Sequence, residues 1–415
     1  TDEVLTLTLR EGVLFQDDTV FNARAVQANI ERARSEGSAL VQGALAHVAS
    51  VDVLDELTVR LNLSQRDDLL LSGLTGYAGM MASPAAFDTL ETTPVGAGGW
   101  TLNTDETIPG SVFIYDKFAD HWQADTIDLG RVEIRVTRGP TGPDALLAGD
   151  IDMLVTATGL TRLLAGADVS FDVQNATWYI IGLWDREGEM IPELADQRVR
   201  CALNYAINRD AYNQTMGAGL TTPMQTVPPQ GWYGYTPDAP AYTYDPERAQ
   251  ALLNEANAEG FTLPIPATSG VLQRSQALAG FFADIGVDAV VENLVDGTMF
   301  SAAYSGDIPA NFITLTPSHF TEFVVDFFSP DGIANPFGVV DEDITALLAE
   351  AEGLSLAEAE PIWQQISTLI TERCYLIAVT SGSLVVATTP QIENTRPMLN
   401  QPARLDFHAL TLADE

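Results

Sequence analysis

Along the 415 residues of the chain, runs of strand length repeatedly give way to segments with helical spacing. Leu5-Thr6-Leu7-Thr8-Leu9 alternates apolar and polar residues, which turns one face of a strand to a core and the other to water. Asn22 follows at the N-cap position of a helix expected over 23–35, with Val26, Ile30 and Ala33 on one face. Strands are expected over 51–54, 58–63, 101–102, 111–116 and 132–136. Later helices are expected from 246, over 272–285, 341–352 and 356–372, with a strand at 287–291 and two short apolar runs at 376–379 and 384–387. Alternation of this kind specifies an α/β fold. The length exceeds what one ordinary core serves, so two or three domains are expected. No apolar stretch approaches the ~18–20 residues that a membrane helix needs.

Charge narrows the function classes. Twenty basic against fifty-seven acidic residues leave −37, and Lys117 is the single lysine. Such a surface repels phosphate backbones, so no nucleic-acid partner is expected. An acidic, solvated surface fits a salty medium, where screening over about 8–10 Å relieves self-repulsion. It points to contact with the external medium.

Punctuation marks the chain's organisation. Pro94-Val95-Gly96-Ala97-Gly98-Gly99-Trp100 reads as a crossing between lobes whose backbone bends, with positive φ expected at its glycines. A Pro-, Gly- and Tyr-rich stretch runs over 221–244. Asp245-Pro246 opens a helix, with Asp as N-cap, and Gly260 is expected to close it. From about Val173 the chain passes into another lobe. Cys201 and Cys374 lie beside apolar segments and are expected as buried free thiols, with a disulfide as the alternative. The chain opens on Thr1-Asp2-Glu3 without a signal peptide, as a processed N-terminus does.

Catalytic patterns are not found. His47, His121, His319 and His408 stand far apart, and two cysteines do not make a zinc site, so no metal or cofactor is expected. The sequence has no GxSxG elbow and no phosphate loop. Asp150 and Asp152 form an acidic pair, but fifty-seven carboxylates make such proximity ordinary.

Six ordered segments together resemble one family, the family 5 bacterial solute-binding proteins, which include peptide-, nickel- and opine-binding members. The run Thr8 to Ala23 (TLREGVLFQDDTVFNA) is similar to the family's TLRxGVxFxDGTPFTAxDV signature, with Asp18 in place of glycine and Val20 in place of proline. Ser83-Pro84 and the 94–100 segment resemble its SP and PVGTGPY elements. Ala145 to Asp152 resembles ALLAGEID, Val199 to Arg209 resembles VRQALNYAIDR, and Tyr244 to Leu253 is close to YDPEKAKALL. These motifs read as scaffold more than as ligand contacts.

The resemblance implies a two-lobed α/β periplasmic-binding-protein clamp with an extra small domain on the first lobe. On that map residues 1–93 form the extra domain, 94–172 the first lobe, 173–388 the second lobe, and 389–415 return to the first. Family members carry several tens of residues ahead of the TLRxGV strand, so the N-terminal part of the first lobe is expected to be missing here. The function implied is capture of a small organic solute, oligopeptide-like and neutral or cationic, for the permease subunits of an ABC importer. The protein is expected to work outside the cytoplasm, as a monomer and without catalysis. A sensory module of the same fold is the alternative, and a hydrolase a more remote one.

The ligand positions follow from the same map. Peptide-binding relatives place a tryptophan and then an acid just after a GDFD strand. Here Leu315 or Thr316 stands near the first position and Ser318 near the second, with Glu322 and Asp326 as substitutes for the acid. The stretch 37–45 has no arginine of the kind that chelate binders use. Aromatic residues complete the candidate set: Trp178 and Tyr179 where the second lobe begins, Trp232 and Tyr233 in the irregular loop, His319 by the cleft strand, and Tyr77 before Ser83-Pro84.

Overall fold

The computed structural model describes residues 3–413 except 138, 269, 296–297, 318 and 396–406. Its first unit is a three-stranded antiparallel sheet, with Thr58–Leu63 between Val4–Thr8 and Val48–Val53. The helix Ala23–Glu36 lies on this sheet. Its N-cap Asn22 accepts from the Ala25 amide, and Ala23, Val26 and Ile30 bury against Val51, Val59 and Leu61. A second antiparallel sheet joins Trp100–Leu102, Val112–Lys117 and Arg131–Arg135.

Two long strands organise the rest. Ser170–Leu183 and Leu376–Thr388 pair antiparallel along most of their length. At one end the pair is joined by Met153–Ala157, through residues 384–388. At the other end it is joined by Ala310–Leu315, through residues 178–183, and by Thr222–Pro223. The lobe boundary expected near Val173 lies inside a continuous strand. Likewise, the apolar runs 376–379 and 384–387 are not two strands. They are parts of one strand, and polar Thr380-Ser381-Gly382, with register shifts on either side, hides the continuity.

Alternation along the Ser170–Leu183 strand sends its side chains into two separate cores. Tyr179, Ile181 and Leu183 face a core built with the helices Gln197–Tyr205, Pro246–Glu255 and Leu272–Asp284. Trp178 and Ile180 face the opposite core, built with Phe320–Phe328, Glu342–Ala351 and Leu356–Glu372.

Several motifs now have physical reasons. Asp18, which stands where glycine is usual, takes φ +64°, a left-handed backbone that glycine adopts freely and aspartate tolerates. Asp17 beside it accepts from the Ser83 hydroxyl (2.6 Å) and from the Thr19 amide and hydroxyl, so the first and second motifs are two halves of one junction. Gln16 donates to the Gly98 and Trp100 carbonyls and accepts from the Gly96 amide, binding the glycine-rich crossing to the first motif. In Val199 to Arg209, the buried Arg209 guanidinium donates to the carbonyls of Ala378, Asn204 and Tyr242, which fastens helix, loop and long strand together.

Three expectations are corrected. Gly96, Gly98 and Gly99 do not take positive φ; Gly99 is constrained by space, since a Cβ there would lie 2.6 Å from both His408 Nε2 and Ile127 Cδ1. The helix opened by Asp245-Pro246 ends at Glu255, and Asn257 (φ +55°) rather than Gly260 is the first left-handed residue after it. Cys201 and Cys374 are not free thiols: their Cα atoms lie 5.2 Å apart and the sulfurs are bonded.

Candidate functional site

The site residues separate into three places. On one face of the long-strand sheet, aromatic rings form a connected series. Trp178 meets Trp232 edge to face at 4.9 Å and Phe323 at 5.4 Å, Phe323 meets Phe327 at 4.9 Å, and Phe327 stacks on Trp184 at 5.2 Å. Trp178 is fully enclosed (0% exposed), and its indole N–H has no acceptor among the described residues. An indole N–H usually finds a partner when buried, so this donor is unusual.

Trp232 and Tyr233 lie half-buried at the edge of that core. Tyr233 and His319 rings approach to 4.7 Å, and the Tyr233 hydroxyl donates to the Leu356 carbonyl. Burial, reinforced by the charges of Glu360 and Asp68, pushes the Tyr233 phenol up to about 12, so it remains a donor at neutral pH. His319 caps the Phe320–Phe328 helix, accepting from the Thr321 amide, and burial lowers its pKa, which favours the uncharged ring. Thr316 is exposed just beyond the Ala310–Leu315 strand. Ser318 lies outside the described residues.

Tyr179 and Tyr77 do not join this cluster. Tyr179 points to the other face, parallel to Phe312 at 6.1 Å and under the Arg274 guanidinium at 4.5 Å. Its ring lies over Gly382 of the neighbouring strand, where a Cβ would come within 1.9 Å of it. Tyr77 is 56% exposed in a short turn of the N-terminal unit.

Glu322 and Asp326 stand one turn apart on the Phe320–Phe328 helix. Burial first, and then the Glu322 charge, pushes Asp326 up to about 6. Tyr304 is close enough to feel the Asp326 charge, and it also lines a small apolar recess with Trp184, Asn311, Ile313 and Phe327. The Trp184 indole is fixed there by donation to Asn311 Oδ1 (2.7 Å).

Sequence reasoning missed the contact that faces this cluster from the N-terminal unit. Asp68 Oδ2 accepts from the Leu356 amide at 3.0 Å, across 288 positions. No local pattern signals such a pair. The Phe320–Phe328 helix, which carries Phe323 at the centre of the aromatic series, was likewise not read from the sequence.

Comparison with known proteins accords with this architecture. Residues 2–334 match the profile of bacterial extracellular solute-binding proteins, family 5 Middle. The chain is 32% identical over 265 residues to the glutathione-binding protein GsiB of Salmonella typhi, covering 62% of this chain and 51% of that protein. It is 31% identical over 258 residues to GsiB of Escherichia coli (strain K12), covering 60% and 49%. The chain thus spans about half the length of the curated relatives it matches.

Among solved structures, a putative peptide binding protein AppA from Clostridium difficile superposes with TM-score 0.87 at 18% identity, covering 99% of this chain and 89% of that one. DppA from Helicobacter pylori in complex with the peptide STSA superposes with TM-score 0.83 at 20% identity, covering 100% and 87%. NikA from Brucella suis in complex with Fe(III)-EDTA superposes with TM-score 0.86 at 19% identity, covering 99% and 89%. These likenesses establish the two-lobed clamp fold. With a family match over most of its length, the chain belongs to the family 5 bacterial extracellular solute-binding proteins.

Proposed function

We propose that the chain captures a small organic solute by closing its lobes and delivers it to the permease subunits of an ABC importer, without catalysis. The carrying observation is the pair of long strands. Within one five-stranded sheet, Met153–Ala157 joins one end of the pair and Ala310–Leu315 the other, so bending between the ends would move one lobe against the other. On this reading residues 1–93, 94–172, 173–388 and 389–415 are the extra domain, the first lobe, the second lobe and the return to the first.

Trp178, Trp232, Tyr233, Thr316 and His319 are the candidate ligand group in this reading; Tyr179 and Tyr77 face elsewhere and are not part of it. Their chemistry supports a neutral or cationic, oligopeptide-like solute. The group has aromatic faces, a Trp178 N–H that lacks an acceptor, and a histidine kept uncharged by burial. It contains no lysine or arginine to receive an anion. The net charge of −37 draws cations as well. Peptide or glutathione binding by relatives makes this class the first to test.

The Cys201–Cys374 disulfide supports a place outside the cytoplasm, in the periplasm or an equivalent oxidising compartment. A monomer suffices for such a clamp.

The test is a thermal-shift screen of the intact chain against peptides, glutathione, opines, sugars and metal chelates. A solute present at about 100 times its dissociation constant adds about 2.7 kcal/mol of stability. A shift with peptides supports the reading. Shifts confined to anionic chelates overturn the ligand class, and no shift with any class overturns capture itself.

A further inference from the structure

We propose that Asp68 is a latch that holds the two lobes together by capping a helix on the far side of the cleft; this rests on the clamp reading above. Asp68 precedes Leu70, which is buried in the core of the N-terminal sheet and its helix. Leu356 is the first residue of the Leu356–Glu372 helix, whose Ile362, Trp363, Ile366 and Ile370 are buried in the second lobe. The 3.0 Å bond from the Leu356 amide to Asp68 Oδ2 therefore joins two separate cores.

The local chemistry is built for that bond. The first amides of a helix have no intrahelical acceptor, and the helix start carries partial positive charge. Within its own chain segment, Ser355 and Glu358 form a reciprocal capping box that serves the Glu358 and Ser355 amides. The Leu356 amide is not served by that box, and Asp68 reaches it from the other lobe. Arg66 holds the Asp68 carboxylate with two bonds, Nε to Oδ1 at 2.7 Å and Nη2 to Oδ2 at 3.2 Å, so the acceptor is aimed before the lobes meet.

Leu356 also links the latch to the candidate site. Its carbonyl accepts from Tyr233, which packs against His319. One residue is thus gripped on its amide side from the N-terminal unit and on its carbonyl side from the aromatic cluster. When the lobes part, the Leu356 amide goes to water and Asp68 keeps only Arg66. The bond exists in the closed state alone, so it raises the closed fraction and with it the apparent affinity for any solute that binds closed lobes. It opposes the self-repulsion of a chain carrying −37. Asp68 does not touch the solute; it is a positioning residue.

The experiment measures lobe separation directly and needs no solute. Nitroxide labels on Leu54→Cys in the N-terminal unit and Val340→Cys in the second lobe, both exposed, report the distance by pulsed electron resonance in the intact chain, whose two native cysteines are bonded to each other. Asp68→Ala raises the ratio of long-distance to short-distance populations by roughly 3–10-fold, the range for a partly exposed charge-assisted bond. Arg66→Ala, which leaves the carboxylate but frees it, gives a smaller rise. Ser355→Ala, which removes the helix's own N-cap acceptor and keeps the Arg66, Asp68 and Glu358 charges in place, leaves the distances unchanged and is the control for simple fraying.

A distance distribution in Asp68→Ala identical to that of the parent overturns the latch, whatever the melting curve does, and leaves the clamp reading standing. If Asp68→Ala does not fold, Arg66→Ala decides: no rise in the long-distance population overturns the latch. Failure of the solute screen with a clear opening in Asp68→Ala removes capture and keeps the latch.

Discussion

Cys201 and Cys374, 173 positions apart, are joined by a disulfide that ties the Gln197–Tyr205 helix to the turn between the Leu356–Glu372 helix and the second long strand. The bond closes residues 201–374 into a loop and restricts the unfolded chain. Replacing both cysteines by serine is expected to cost about 3–5 kcal/mol, given the length of that loop. Urea unfolding of the oxidised protein against the double variant measures this directly. An unfolding free energy lowered by less than a fifth of that amount would show that the packing around the bond already holds this region.

Trp178 and Trp232 touch, yet their substitutions should behave differently. Trp178→Ala empties a fully buried position and is expected to destabilise the protein by about 3–5 kcal/mol. Trp232→Ala removes a half-buried ring at the edge of the core. Its larger effect should fall on solute affinity, by about 1 kcal/mol or more, or roughly fivefold in Kd. Melting curves and calorimetric titration with a solute from the thermal-shift screen separate the two. Unchanged affinity in Trp232→Ala removes it from the site.

Gly382 is needed because the Tyr179 ring occupies the space above it. Gly382→Ala should displace that ring from Phe312 and Arg274 and cost about 1–3 kcal/mol, the range for overpacking. The double variant with Tyr179→Ala should recover part of the loss, because the clash is then gone. Additive losses in this double-mutant cycle would place the strain elsewhere.

Asp326 makes stability depend on pH in a defined direction. Burial, then Glu322, lifts its folded pKa to about 6, against 3.8 for the ordinary group. Between those values the folded chain holds a proton that the unfolded chain has lost. This residue's contribution to stability therefore rises as pH falls from 7 toward 4. Asp326→Asn should melt higher than the parent at pH 7.5, and the gap should close by about pH 4.5. A gap that does not change with pH would mean that the carboxylate is not shifted in this way.

Much of the first unit was legible because its signals are local. Asn22 and its helix and the strand at 58–63 there, and the Asp245-Pro246 opening further along, each carry a pattern readable within a few residues, and the structure places them as expected. The 376–388 strand was read as two pieces because its middle is polar, and its continuity is decided by pairing with 170–183. Tyr179 and Trp178 are sequence neighbours with the same apparent claim on the cleft, but alternation along the strand sends them to opposite cores.

By itself, then, the sequence determined the α/β class, the family and the absence of positive charge among the candidate ligand residues, because periodicity, ordered motifs and composition are properties of the chain alone. Tertiary structure decided that the two cysteines bond, that Trp178 is enclosed by Trp232 and Phe323, and that Asp68 reaches the Leu356 amide. Each of these joins residues tens to hundreds of positions apart, and such distances close only when separate cores pack against one another.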